Sequence, residues 1–144
     1  MRIKILLGGG LLIIVVALNF RGVAADQQPG KFDKLSAEDR AALAQRFQKE
    51  VWPLLERGGK DGCVGCHNGT KVTTLRFSGK PADDFAMLVG DGFMIKGDPG
   101  SILERITDKD PKRVMPPNKL PRWSPDEVKV LRAFVNEVDA KNKL

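Results

Sequence analysis

The sequence predicts a mainly α-helical domain whose helices are joined by long loops. Three observations predict it. Apolar residues recur at three- and four-residue spacing in two stretches, one near each end of the domain. Ten of the fifteen glycines and six of the nine prolines break up the region between them. Strand signals, short alternating or β-branched runs between turn residues, are few.

Taken in order, Met1 to Ala25 reads as an export signal. Arg2 and Lys4 form a basic start, Ile5 to Phe20 is an almost uncharged apolar run, and Val23-Ala24-Ala25 is a small-residue end. The competing reading is a retained membrane anchor, since Arg21 follows the apolar run. That run of 16 residues falls short of the roughly 20 a spanning helix needs. Either way the domain is expected outside the cytoplasm, periplasmic or otherwise exported. Residues 26–35 are polar with Pro29 and Gly30 and read as a flexible lead-in, which leaves 36–144 as one domain.

The first helix is expected from Ser36, capped by its hydroxyl with Asp39 reciprocating, with Leu43, Phe47, Val51 and Leu54 or Leu55 on one apolar face. Pro53 should kink or restart it, and Gly58-Gly59 should end it. A cysteine motif follows, then a loop with a short extended piece over 72–77 and a short helix over 83–89. Glycines and Pro99 interrupt the chain until Ser101 opens a helical turn through Ile102, Leu103 and Ile106. Five prolines between Asp110 and Pro125 exclude regular structure there. The last helix is strongly marked: Ser124 caps, Pro125 takes the first position, and Glu127 completes a capping box. Val128, Leu131, Val135 and Val138, flanked by Val130 and Phe134, form its apolar face.

Charge narrows the function. The chain carries 24 basic and 18 acidic side chains, and losing Arg2, Lys4 and Arg21 with the signal would lower the formal excess from +6 to +3. Such an excess, with no basic run interleaved with aromatics, does not mark a nucleic-acid binder. It favours, weakly, acidic redox partners.

The two cysteines lie three apart, where a disulfide would close a tiny loop and stabilise little. With the residue that follows they read Cys63-Val64-Gly65-Cys66-His67, the attachment pattern of a c-type haem. Two thiols at this spacing can add across the porphyrin vinyl groups, and the next residue then sets an imidazole beneath the iron. A thioredoxin-like motif shares the spacing but belongs in a strand-helix context. A zinc site needs about four ligands. The cofactor expected is therefore one haem c per chain, on Cys63 and Cys66, with His67 on the iron.

His67 is the only histidine, which excludes bis-histidine ligation within the chain. Met87, Met94 and Met115 are the thioether donors outside the signal. Core filling is the ordinary role of a methionine and suits Met87 and Met94. Met115 precedes Pro116-Pro117, where restricted backbone angles could hold its sulfur at the iron, and lies 48 residues beyond His67. It is the favoured sixth ligand.

Together these residues resemble the planctomycete-type cytochrome c domain family, relatives of class I cytochromes c. The resemblance rests on Val51-Trp52-Pro53-Leu54-Leu55 before the haem motif and Leu75-Arg76-Phe77 after it. It continues through Gly97-Asp98-Pro99, Ser101, Leu103, Arg105-Ile106-Thr107, Met115-Pro116-Pro117 and the closing helix, covering about 47–138. It implies a class I cytochrome c-like fold wrapped around the haem, first and last helices crossed, His67 and Met115 as axial ligands, and electron transfer. Two features depart from the wider pattern. No Gly-Pro-Leu follows the haem motif, so the sequence does not locate the backbone acceptor for the second nitrogen of His67. Val114 separates Arg113 from Met115, which the family often has adjacent.

The expected function is thus an electron carrier rather than an enzyme, exchanging electrons with redox proteins whose identity the sequence does not specify. Its rivals are a haem-bearing subunit of a larger periplasmic oxidoreductase, tethered if the N-terminus is retained, and a haem enzyme or gas sensor with an open sixth site. Arg105, Arg113, Trp52 and Trp123 are candidates for contact with the haem propionates.

Overall fold

The computed structural model describes residues 34–59, 62–70, 74–117 and 120–143. The expected export segment, Met1 to Ala25, and most of the lead-in lie outside the described residues. Leu35, assigned to the lead-in, is buried in the core, so the packed domain begins one residue earlier than the helix cap suggested.

The described residues are mainly helical and include no strand. Helix α1 spans Ala37–Arg46 and passes through a wider π-helical turn, Phe47–Val51, into α2, Trp52–Glu56. A single turn, α3, covers Cys63–Cys66; α4 is Pro81–Gly90, α5 Ile102–Thr107 and α6 Pro125–Asn142. Of the extended piece expected over 72–77, the described part has no strand pairing.

The π-helical turn answers the question posed by Pro53. A proline removes one helical N–H and crowds the carbonyl four residues back. Here the preceding turn widens, and the Trp52 N–H reaches back five residues to the Phe47 carbonyl oxygen, so the run continues instead of breaking. The widening also serves the core. Four-residue spacing drifts by about 40° per step around an ordinary helix. A wider turn offsets that drift and keeps Leu43, Phe47, Val51 and Leu55 on one buried face. Leu55 is the buried member of its pair and Leu54 lies at the edge.

Both long helices carry their expected caps. At α1 the Asp39 N–H donates to the Ser36 hydroxyl, but Asp39 accepts from that same hydroxyl rather than from the backbone. The full reciprocal box forms at α6 between Ser124 and Glu127. Side chains bridge the two helices. Lys141 pairs with Asp39, Arg46 with Glu137, and the Phe134 ring lies 5.8 Å from that of Phe47. Lys141 and the Ser36 hydroxyl hold the Asp39 carboxyl below its ordinary value.

Phe47 is the hub of the core. Its ring centroid is 5.5 Å from Phe85 on α4 and 6.2 Å from Trp52, so three helical segments meet on one side chain. This wall supports the cavity described next.

Candidate cofactor site

The cysteine motif is presented by one helical turn. The Cys66 and His67 N–H groups donate to the Gly62 and Cys63 carbonyl oxygens, each at 2.9 Å. Cys63 and His67, four apart, therefore face the same way. Gly62 permits this placement: a Cβ there would stand 2.1 Å from the Arg57 carbonyl oxygen. Arg57 in turn lies over the Trp123 ring at 5.1 Å and pairs with Glu127, tying the approach to the motif onto the start of α6.

Cys63 and His67 open onto a cavity of about 450 Å³ that Met115 also lines. Most of the remaining wall is apolar, from Leu55, Leu75, Phe77, Phe93, Ile102 and Ile106. Cys66 is half-buried on the same helical turn but is not part of that wall. The two sulfurs are not joined in a disulfide. Burial raises the Cys63 thiol above its ordinary value despite the nearby Arg57 charge, so it is protonated at neutral pH.

His67 is held by the segment after it. Its Nδ1 lies 3.3 Å from the Leu75 carbonyl oxygen. A carbonyl can only accept, so this contact puts the proton on Nδ1 and leaves the Nε2 lone pair for a metal. The Phe77 N–H donates to the His67 carbonyl oxygen at 2.6 Å, and the two rings meet edge to face at 6.5 Å. Leu75 is thus the acceptor that the sequence could not locate. A backbone carbonyl carries no residue-type signal, and only the fold brings this one to the histidine.

Asp84 anchors the same segment and was also missed. It is 1% exposed, and its carboxylate accepts the Ser78 and Gly79 N–H groups at 2.6 and 3.0 Å. Truncating a buried carboxylate with two charge-assisted bonds should cost about 2–4 kcal/mol. We expect Asp84→Ala to lose that much in urea unfolding and Asp84→Asn, with one acceptor left, about half. A loss under about 1 kcal/mol in Asp84→Ala would show that the anchor carries no such weight.

The methionines separate clearly. Met94 is fully buried in the core, and Met87 packs at its edge. Neither lines the cavity, whereas Met115 does. Its N–H donates to the Arg105 carbonyl oxygen at 2.8 Å. Val114, the residue interposed before it, is 8% exposed, so the pair divides between interior and cavity.

Of the four propionate candidates, Arg105 alone lines the cavity, and among the described residues it is the only lysine, arginine or acidic side chain there. Among the described residues it forms no ion pair. Arg113 is paired with Asp108 at 3.1 Å. Trp52 packs between Phe47 and Phe77, and Trp123 lies under Arg57.

The described residues hold no group of three or more histidine, cysteine or acidic side chains able to bind a bare metal ion. No described helix is long and apolar enough to cross a membrane. Compared with models of known families, with curated proteins and with solved structures, the chain matches none.

Proposed function

We propose that this chain is an exported electron carrier that holds one haem c through Cys63 and Cys66, with His67 and Met115 as axial ligands. The observation that carries the reading is the shared cavity: a thiol, an imidazole with its metal-binding nitrogen left open, and a thioether line one largely apolar space. That donor set suits iron supplied within a macrocycle, which needs only two protein ligands. About 450 Å³ with apolar walls also lies within the usual range for cofactor sites. On this reading the helical architecture is a class I cytochrome c-like one.

When bound, the haem supplies a one-electron couple. The chain's own residues do the rest. Cys63 and Cys66 would hold it as thioethers, each S–H adding across a porphyrin vinyl double bond with the sulfur on one carbon and the hydrogen on the other, which would make the cofactor part of the core. The Leu75 carbonyl orients His67 and strengthens it as a donor. Arg105 is the residue available to meet a carboxylate of the porphyrin. Leu55, Ile102 and Ile106 exclude water, and a lower local dielectric raises the potential of a cationic centre. Filled axial positions would let the electron move with little rearrangement. The partners on this reading are redox proteins, met through a mildly basic surface.

The test is material matured in a host able to attach c-type haem. Its mass should exceed that of the polypeptide from Asp26 by one haem, and its ferric form should show a methionine-to-iron charge-transfer band. Colourless protein of bare polypeptide mass would sink the proposal. Rapid carbon monoxide binding to the intact ferrous protein would favour the open-site enzyme or sensor instead.

A further inference from the structure

The Met115 turn is held from both sides. Upstream, the Met115 N–H is fixed on Arg105 of α5. Downstream, Pro116 and Pro117 have no N–H to offer, so the chain there can be held only through its carbonyls. Both are taken: the Leu120 N–H donates to the Pro117 carbonyl oxygen at 2.9 Å, and the Arg122 guanidinium donates to the Pro116 carbonyl oxygen at 2.8 Å. Arg122 directly precedes Trp123, which is buried beneath Arg57 and leads into the Ser124 cap of α6. Its side chain therefore ties the residue after Met115 to the start of the longest helix.

We infer that Arg122 is a positioning residue, a latch that keeps the Met115 sulfur on the cavity wall and sets how readily that ligand leaves it. The inference rests on the haem reading above and on Met115 as the sixth ligand. Arg122 does not line the cavity, so it acts through the Met115-Pro116 turn. Losing the latch raises the population of turns swung away from the wall, and a competing ligand enters only those. Because the side chain is exposed, removing it leaves the core intact.

The experiment uses the mature haem-loaded protein and imidazole as the competing ligand. In the ferric protein, the rate at which saturating imidazole bleaches the methionine-to-iron band reports opening of the turn. Loss of the charged hydrogen bond to Pro116 predicts a rate about three- to tenfold higher in Arg122→Ala. Arg122→Lys, a donor without the planar fork, should fall between. Arg132→Ala, exposed on α6, should match the parent. The unfolding midpoint of Arg122→Ala should stay within about 3 °C of the parent, separating a latch from general destabilisation. An Arg122→Ala rate equal to the parent's, or a rise shared by Arg132→Ala, overturns the latch while the parent's band leaves the ligand assignment standing. A parent with no band overturns that assignment and the latch together.

Discussion

Replacing both thiols, Cys63→Ala with Cys66→Ala, should yield a chain without covalent haem and without most of its thermal stability. The cavity shows why the two losses come together. A void of about 450 Å³ left unfilled, at roughly 24 cal/mol per Å³, corresponds to an upper bound of about 11 kcal/mol. That is of the order of a whole domain's stability. Water lowers the figure, because Cys63, His67 and Met115 are half-buried and the space is not sealed. We expect the double variant to have the bare polypeptide mass and to lose its cooperative melting transition or begin it tens of degrees below the haem-loaded parent. His67→Ala, with both thiols kept, should retain some attached haem but lose the parental spectrum. A double variant that melts like the parent would show that the cavity is not filled by a cofactor on which the fold depends.

Met115→Ala should have the second largest effect, and it should fall on the iron more than on the fold. Met115 is half-buried at a loop, so truncating it removes less packing than truncating Met94 would. Loss of a thioether ligand should abolish the charge-transfer band and let carbon monoxide bind the ferrous protein rapidly. It should also lower the reduction potential by on the order of 0.1–0.2 V, within the ~0.8 V that axial ligands span. Met87→Ala and Met94→Ala should keep the band, because neither residue lines the cavity. If Met115→Ala keeps it and one of them loses it, the sixth ligand is that other methionine.

Much of the helical frame was legible because its signals are local. Ser124 and Glu127 are three apart, and their reciprocal bonds need only one helical turn to form. Ser36 and Asp39 announce α1 in the same way, although the donor to the Asp39 carboxylate is the Ser36 hydroxyl rather than the backbone N–H. The effect of Pro53 was legible only as a disturbance. Whether a helix breaks or widens depends on how well its apolar face packs afterwards, and Phe47, with Phe85 and Phe134 against it, favours continuation.

For the candidate site, the sequence by itself determined which atoms are available: two thiols at a fixed spacing, one imidazole, and three thioethers outside the expected signal. Those are properties of side-chain chemistry and of a single helical turn, so neighbouring letters specify them. Only the tertiary structure decided which groups meet. It put Met115 rather than Met94, and Arg105 rather than Arg113, on the wall of the cavity that His67 lines, and supplied the Leu75 carbonyl, the Asp84 anchor and the Arg122 contact. The physical reason is common to all five. Each depends on where a loop is carried by helices packed elsewhere, and three of them involve backbone groups that every residue type possesses.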